Sequence, residues 1–244
     1  MLVSEIYSIL DKIAPFELQD DGDNSGLLLG NLDDEFDKIY LSIDANLSLA
    51  KKVEPNSLVI THHPLIFNPL KSLDPKTFPA NVLYELIKKD IKLISMHLNF
   101  DKAVFNNYLV EEHLGYKITK SKDYEVYFEP NKSFDEFAKE LQEKFSQPCI
   151  RVAKTTDFVK TAVFCSGAGG SLLKELDSDA DCFITGDIKH SQGIEARDLG
   201  ISLVEIGHYE SESFFSTILQ KKLEDKGINA IIADIDNPFN YIKG

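Results

Sequence analysis

No stretch constrains this chain more than Ser57-Leu58-Val59-Ile60-Thr61-His62-His63-Pro64. Its mostly apolar, β-branched residues read as a buried strand, and a proline stops that strand just after two adjacent histidines. Neutral imidazole is the commonest metal ligand. Neighbouring side chains on extended backbone point to opposite sides, so an adjacent pair suits two ions better than it chelates one. The chain has only six histidines, and two stand together where a strand ends. Taken alone, the pair reads as a solvated turn at least as readily as a two-metal site, and the rest of the sequence has to decide.

The same form recurs along the chain. Val3, Ile6, Ile9, Leu10 and Ile13 repeat at helical spacing in a helix that ends at Pro15; Asp23-Asn24-Ser25-Gly26 then lead into a short strand. Asp23 and Asn24 fit either a site lining or an Asx turn. A strand at Ile39–Ile43 ends in Asp44, and Asn46 is placed to cap the helix after it. A loop rich in proline and lysine runs from Pro64 to Pro79 and is followed by a helix from Ala80 to Lys89. The strand Ile91–Ser95 runs into His97-Leu98-Asn99-Phe100-Asp101, and the next helix stops at Gly115 with His113 in its last turn, where a positive ring suits the helix dipole. From 117 to about 160 the composition shifts and histidine is absent, with a strand at Tyr124–Phe128, a capping box at Ser133-Phe134-Asp135-Glu136 and a strand at Pro148–Val152. Thr161–Cys165 enters Ser166-Gly167-Ala168-Gly169-Gly170-Ser171, either a phosphate cradle or a tight packing turn. Strands at Cys182–Thr185 and Ser202–Ile206 lead into Gly186-Asp187-Ile188-Lys189-His190 and Gly207-His208-Tyr209-Glu210-Ser211-Glu212, and Ala230–Ile235 reads as a last strand.

Strands alternating with helices predict an α/β fold with mostly parallel pairing. Ser57-Leu58-Val59 before His62 and Ser202-Leu203-Val204 before His208 hint at a duplicated half. The change of character marks the middle of a second domain, placed at residues 117–200, with residues 1–116 and 201–244 as the other.

Composition narrows the partners. With 40 acidic against 26 basic side chains, a net charge of −14, and no basic stripe, the surface repels phosphate backbones, which excludes a nucleic acid polymer. No apolar run approaches the ~18 residues of a membrane span, and the start lacks the basic and apolar pattern of a secretory signal. The three cysteines, odd in number and far apart, read as buried free thiols of a reducing cytoplasm.

In open α/β sheets ligands bind beyond the carboxyl ends of strands, and His62-His63, His97 to Asp101, Asp187 to His190 and His208 to Glu212 all follow strands directly. His208 and Glu212 are four apart at the start of a helix and share a face. His62, His63 and His208 with Asp101 and Glu212 form a mixed nitrogen and oxygen donor set without thiolate, suited to Zn, Fe, Mn, Co or Ni and less to Mg. Five ligands serve two divalent metal ions only when a carboxylate or a water bridges them, as in hydrolytic sites with ions about 3.5 to 4 Å apart. His97 and His190 then read as groups that steer ligands or shuttle protons, or as structural hydrogen-bonding histidines.

Asp23-Asn24-Ser25-Gly26-Leu27, Thr61-His62-His63-Pro64-Leu65, His97-Leu98-Asn99-Phe100-Asp101, Thr185-Gly186-Asp187-Ile188-Lys189-His190 and Gly207-His208-Tyr209-Glu210-Ser211-Glu212, in this order over nearly the whole chain, resemble the Nif-three-like family, whose members are named GTP cyclohydrolase I type 2 homologues. The resemblance implies a dinuclear metal centre on His62, His63, Asp101, His208 and Glu212. It also implies two similar, intertwined α/β subdomains in three α/β/α layers, and a toroidal homohexamer with its metal sites facing the cavity. Leu98 departs from the small or hydroxylated residue of the family pattern, and the long insert of some relatives is missing. The function implied is hydrolysis of a small nucleotide-like substrate, with a non-catalytic metal-binding protein or metallochaperone as the alternative. A calcineurin-like phosphoesterase ranks last, because the chain has no Gly-Asn-His-Glu element and no early Asp-x-His.

Overall fold

The computed structural model describes residues 1–233 and 235–242. Its chain divides into two compact units, Met1–Ala103 with Phe215–Pro238, and Val104–Phe214 with the segment from Phe239. In chain order the strands of the first unit are β1 (Gly26–Leu29), β2 (Ile39–Ser42), β3 (Leu58–Thr61) and β4 (Lys92–Ser95). Those of the second are β5 (Ile118–Lys122), β6 (Glu125–Phe128), β7 (Lys132–Ser133), β8 (Arg151–Ala153), β9 (Phe158–Val159), β10 (Ala162–Cys165), β11 (Cys182–Thr185) and β12 (Ser202–Glu205). The chain returns to the first unit with the helix Phe215–Glu224 and β13 (Ile231–Ile232). The strand expected over Ala230–Ile235 is therefore shorter, and Asp234 lies outside the described residues.

The first sheet runs β1-β4-β3-β2-β13 and is parallel except for β1 against β4. A parallel sheet needs cover on both faces, which is why β2, β3 and β4 are buried along their whole length. Tyr40, Val59 and Leu93 pack with Leu49, Leu83 and Leu86 of the helices Leu47–Lys52 and Ala80–Lys88. Leu41, Ile60 and Ile94, on the opposite face by the alternation of the strand, are buried as well, and the helix Phe215–Glu224 packs against β2.

The second sheet runs β5-β6-β10-β11-β12-β8, with β7 and β9 paired apart from it. Only β10–β11 and β11–β12 are parallel, so the expectation of mostly parallel sheets holds for the first unit and not for this one. The reason is local: β5 and β6 are joined by a tight turn with Asp123 at φ 49°, and a hairpin admits only antiparallel pairing. The return to the first unit falls at Phe215 rather than at 201, because β12 pairs in register with β11 on one side and β8 on the other. Val163, Phe183 and Leu203 share a core with Ala196 of the helix His190–Leu199. Phe164, whose side chain alternates to the other face, stacks on Phe145 with centroids 6.0 Å apart.

From 98 to 114 the chain is helical throughout, but Asp101–Phe105 and Leu109–Leu114 are wound as π-helix. Such wide turns are rare and gather at functional sites. Cys165 and Cys182 are buried free thiols, as expected, whereas Cys149 is exposed in the loop before β8. His113, read as a positive ring at a helix end, is instead packed between Phe145 and Phe214, and its Nε2 donates to the Lys144 carbonyl at 3.0 Å. Burial pushes this imidazole below its ordinary range despite that carbonyl, so the fold favours the neutral ring. A depressed folded-state pKa contributes stability that is full above the ordinary value of about 6.5 and is lost as pH falls through the lower one. His113→Gln should therefore lose less stability than the parent between pH 7.5 and pH 5, read as the shift in urea midpoints at the two pH values.

Candidate metal centre

Three strand ends of the first unit finish in hydroxyl residues, and the three are in register: Ser42 faces Thr61, and Thr61 faces Ser95. All are fully buried, so each hydroxyl has to find a partner inside the protein. Ser42 Oγ donates to the Asp44 carbonyl at 2.9 Å, Thr61 Oγ1 to the His63 carbonyl at 2.9 Å, and Thr61 and Ser95 are bonded to each other at 2.9 Å. The backbone N–H groups of His62 and His63 donate to the Ile43 carbonyl. The hydroxyl row thus fastens the loops carrying Asp44 and the two histidines to the edge of the sheet.

His62 is completely buried, and its Nδ1 lies 2.9 Å from the Met96 carbonyl oxygen. A carbonyl only accepts, so Nδ1 carries the proton and the neutral ring presents its lone pair at Nε2. Nε2 is 3.6 Å from Asp101 Oδ1 at the start of the first π-helical stretch. His63 donates from Nδ1 to Asp44 at 2.8 Å, and His97 from Nδ1 to Asp23 at 2.7 Å. The His62, His63 and His97 rings stand 5.0 to 5.7 Å apart, and one ligand atom from each lies within 4.8 Å of the others.

Asp23 is held in turn by Ser25, whose Oγ donates to it at 2.7 Å while accepting from the His97 N–H at 3.2 Å. Burial alone would raise the Asp23 carboxyl; the hydrogen bonds from His97 and Ser25 and the charge of His97 outweigh it, and the acid lies below the usual range. Asp23 therefore orients His97, which goes beyond the two readings its sequence position left open. It stays ionised at neutral pH and keeps the His97 proton on Nδ1.

The second unit repeats the device. His208 opens the helix His208–Glu212, donates from Nδ1 to Asp187 at 2.6 Å and places Nε2 3.1 Å from Glu212 Oε2. Glu212 is nearly fully buried. The glycine loop after β10 forms the wall beside it and is a packing turn: Gly167 N donates to Ser211 Oγ at 2.9 Å, and Gly169 N to Thr185 Oγ1 at 2.9 Å. Gly167 has φ +59°, and a Cβ there would overlap Glu212 Oε1. At Gly186 a Cβ would come within 2.8 Å of His208 Cα. His190 is exposed at the first residue of the helix His190–Leu199, where it lines a cavity of about 260 Å³ with Arg151, Ile188 and Arg197.

Of the residues picked out in the sequence, the first unit gathers His62, His63, His97 and Asp101, and the second pairs His208 with Glu212. The orienting roles of Asp23, Asp44 and Asp187 had only a weak signal in the sequence: each follows a strand or loop that carries polar residues. Imidazoles with Nδ1 engaged by an acceptor and Nε2 presented, beside buried carboxylates, are what a divalent ion requires, so the donor set fits a metal.

An α/β protein with a buried imidazole and carboxylate cluster at its strand ends is the class that fold and site define. The model of the Duf34/NIF3 (NGG1p interacting factor 3) family matches residues 1–238. A Campylobacter jejuni protein named GTP cyclohydrolase 1 type 2 homolog is 43% identical over 99% of this chain and 100% of its own length. Among solved structures, Staphylococcus aureus hypothetical protein SA1388 superposes with a TM-score of 0.85 at 24% identity, covering 99% of both chains. Reduced HcgD from Methanocaldococcus jannaschii gives 0.82 at 28% identity over 97% of this chain and 98% of that one. The chain belongs to the Duf34/NIF3 family.

Gly167→Ala should cost about 1–2 kcal/mol for placing a Cβ in the left-handed region, read by chemical denaturation. Gly227→Ala, with φ +75° and open space around it, should cost a similar amount. Only the first displaces Glu212, so only Gly167→Ala should also weaken metal binding in a calorimetric titration.

Proposed function

We propose that this protein is a metal-dependent hydrolase of a small nucleotide-like substrate, holding two divalent ions, drawn from Zn, Fe, Mn, Co and Ni, through His62, His63, Asp101, His208 and Glu212. The observation that carries the reading is the tautomer: His62, His63 and His208 each spend Nδ1 on an oxygen acceptor and present Nε2. That both groups of ligands serve one pair of ions comes from the family resemblance, as does assembly into a homohexamer. The name of the Campylobacter jejuni relative supports GTP as the first substrate to try.

When bound, the ions would polarise a substrate oxygen and supply a water activated at neutral pH. The chain's own residues do the rest. Asp44 and Asp187 hold the His63 and His208 rings in one orientation and raise their basicity as ligands. His97, kept in its Nδ1–H form by ionised Asp23, presents Nε2 to accept or return a proton beside His62 and His63. His190, the other histidine read as a proton carrier, is exposed on its helix.

Elemental analysis of protein purified without chelators should give about two ions per chain, falling sharply in His63→Ala and Glu212→Ala. Asp44→Ala should weaken metal affinity about 10–100-fold, the usual cost of removing a ligand's orienting partner. Turnover of GTP or of a phosphoester panel by the parent and its loss in His62→Ala would support the hydrolase. Two retained ions with no turnover of any of these would instead identify a non-catalytic metal-binding protein. A parent holding well under one ion per chain would overturn the reading.

A further inference from the structure

The loop that follows His63 carries features the metal cluster does not use. Residues 65–80 frame a cavity of about 360 Å³ whose lining includes Leu65, Phe67, Leu70, Lys71, Phe78 and Pro79. The volume falls within the range of small-molecule sites, about 300–1,000 Å³. Two of its aromatic rings are unusually open for phenylalanine: Phe67 is 51% exposed and Phe78 71%. Phe67 also reaches the histidines, standing nearly perpendicular to the His97 ring with centroids 6.2 Å apart. That distance is within aromatic contact, so Phe67 lines the cavity and also touches the histidine cluster.

The placement of Phe67 is built rather than incidental. Asn24 Nδ2 donates to the carbonyl of Ile66, the residue just before it, at 2.5 Å. Asp23, the preceding neighbour of Asn24, holds His97 at 2.7 Å. Two consecutive residues of one loop therefore set both partners of the ring contact. An open aromatic ring at the rim of a reactive cluster is a stacking surface, and it accepts any planar π system. Lys71, in a chain of net charge −14, puts a cation on the wall of the same cavity.

We propose that this cavity is the substrate-binding pocket and takes a planar heteroaromatic ring stacked on Phe67, with Lys71 meeting an anionic group on the same molecule. The proposal rests on the hydrolase reading above and gives it a recognition element: the ring is held on Phe67 so that the bond to be cleaved lies toward His97. Phe67 touches the substrate in this arrangement and sets specificity, while Asn24 is a positioning residue.

The chain contains no tryptophan, so Phe67→Trp introduces a single, selectively excitable tryptophan at the stacking surface. Titrating the full-length variant with guanosine 5′-monophosphate should give saturable quenching, and ribose 5-phosphate should give none. Calorimetry of Phe67→Ala should show guanosine 5′-monophosphate binding about tenfold weaker than in the parent. Lys71→Ala should weaken guanosine 5′-monophosphate and leave guanosine unchanged, and Leu73→Ala, at an exposed residue of the same loop, should change neither. Equal binding of nucleotide and ribose 5-phosphate, or parental affinity in Phe67→Ala, would overturn the pocket. Unchanged binding with a changed particle mass would assign Phe67 to an interface between copies. Because these measurements read binding, their failure in a protein that keeps its metal removes the pocket alone, and absence of metal in the parent removes the hydrolase reading alone.

Discussion

The candidate metal centre depends on a proton held in place. Each of four imidazoles, His62, His63, His97 and His208, gives its Nδ1 hydrogen to an oxygen that can only accept: one backbone carbonyl and three carboxylates. A neutral imidazole has one donor and one lone pair, so fixing the donor fixes where the lone pair points. His62 and its surroundings are buried, and in such a medium a misplaced proton or an uncompensated polar atom is costly. The acceptors therefore decide which ring atoms are available to a cation before any cation arrives. The carboxylates also bring negative charge close to the rings, which favours a divalent ion and disfavours an anion in the same place.

That arrangement depends on the strands beneath it. Ser42, Thr61 and Ser95 are paired across β2, β3 and β4, and their hydroxyls hold the turns that bring Asp44 and His63 into contact. A slip of one residue in any of these pairings would turn the hydroxyls to the other face and release the turns. Burial of the strands on both faces guards the register, because a slipped strand would lose its core contacts on each side. In the second unit glycine plays the corresponding part, because Gly167 and Gly186 let backbone approach Glu212 and His208 more closely than any side chain allows.

Much of the fold was legible because its signals are local. The capping box opening the helix Phe134–Lys144, the Asn46 cap, and the apolar runs of the central strands all match what forms. The less legible parts were those that hydrophobic periodicity does not record. The second sheet is mixed because a turn at Asp123 folds β5 back on β6 and β8 joins β12 as an antiparallel edge strand, neither of which periodicity reveals. His113 reads from its place in the last turn as a positive or partly charged ring suited to the helix dipole, yet two phenylalanines from elsewhere in the chain enclose it and favour the neutral ring.

The sequence alone determined which residue types stand at the strand ends, and with them the candidate donor set, since ligand chemistry is a property of side chains and of their place after a strand. Tertiary structure alone decided which acceptor meets which ring: Asp23 is 74 residues from His97, and Asp44 is 19 from His63. It also decided that the glycine loop is a wall against Glu212 and that Phe67 stands open beside His97. Hydrogen bonds and ring contacts act over a few ångströms, and only the register of strands laid side by side brings residues so far apart along the chain within that reach.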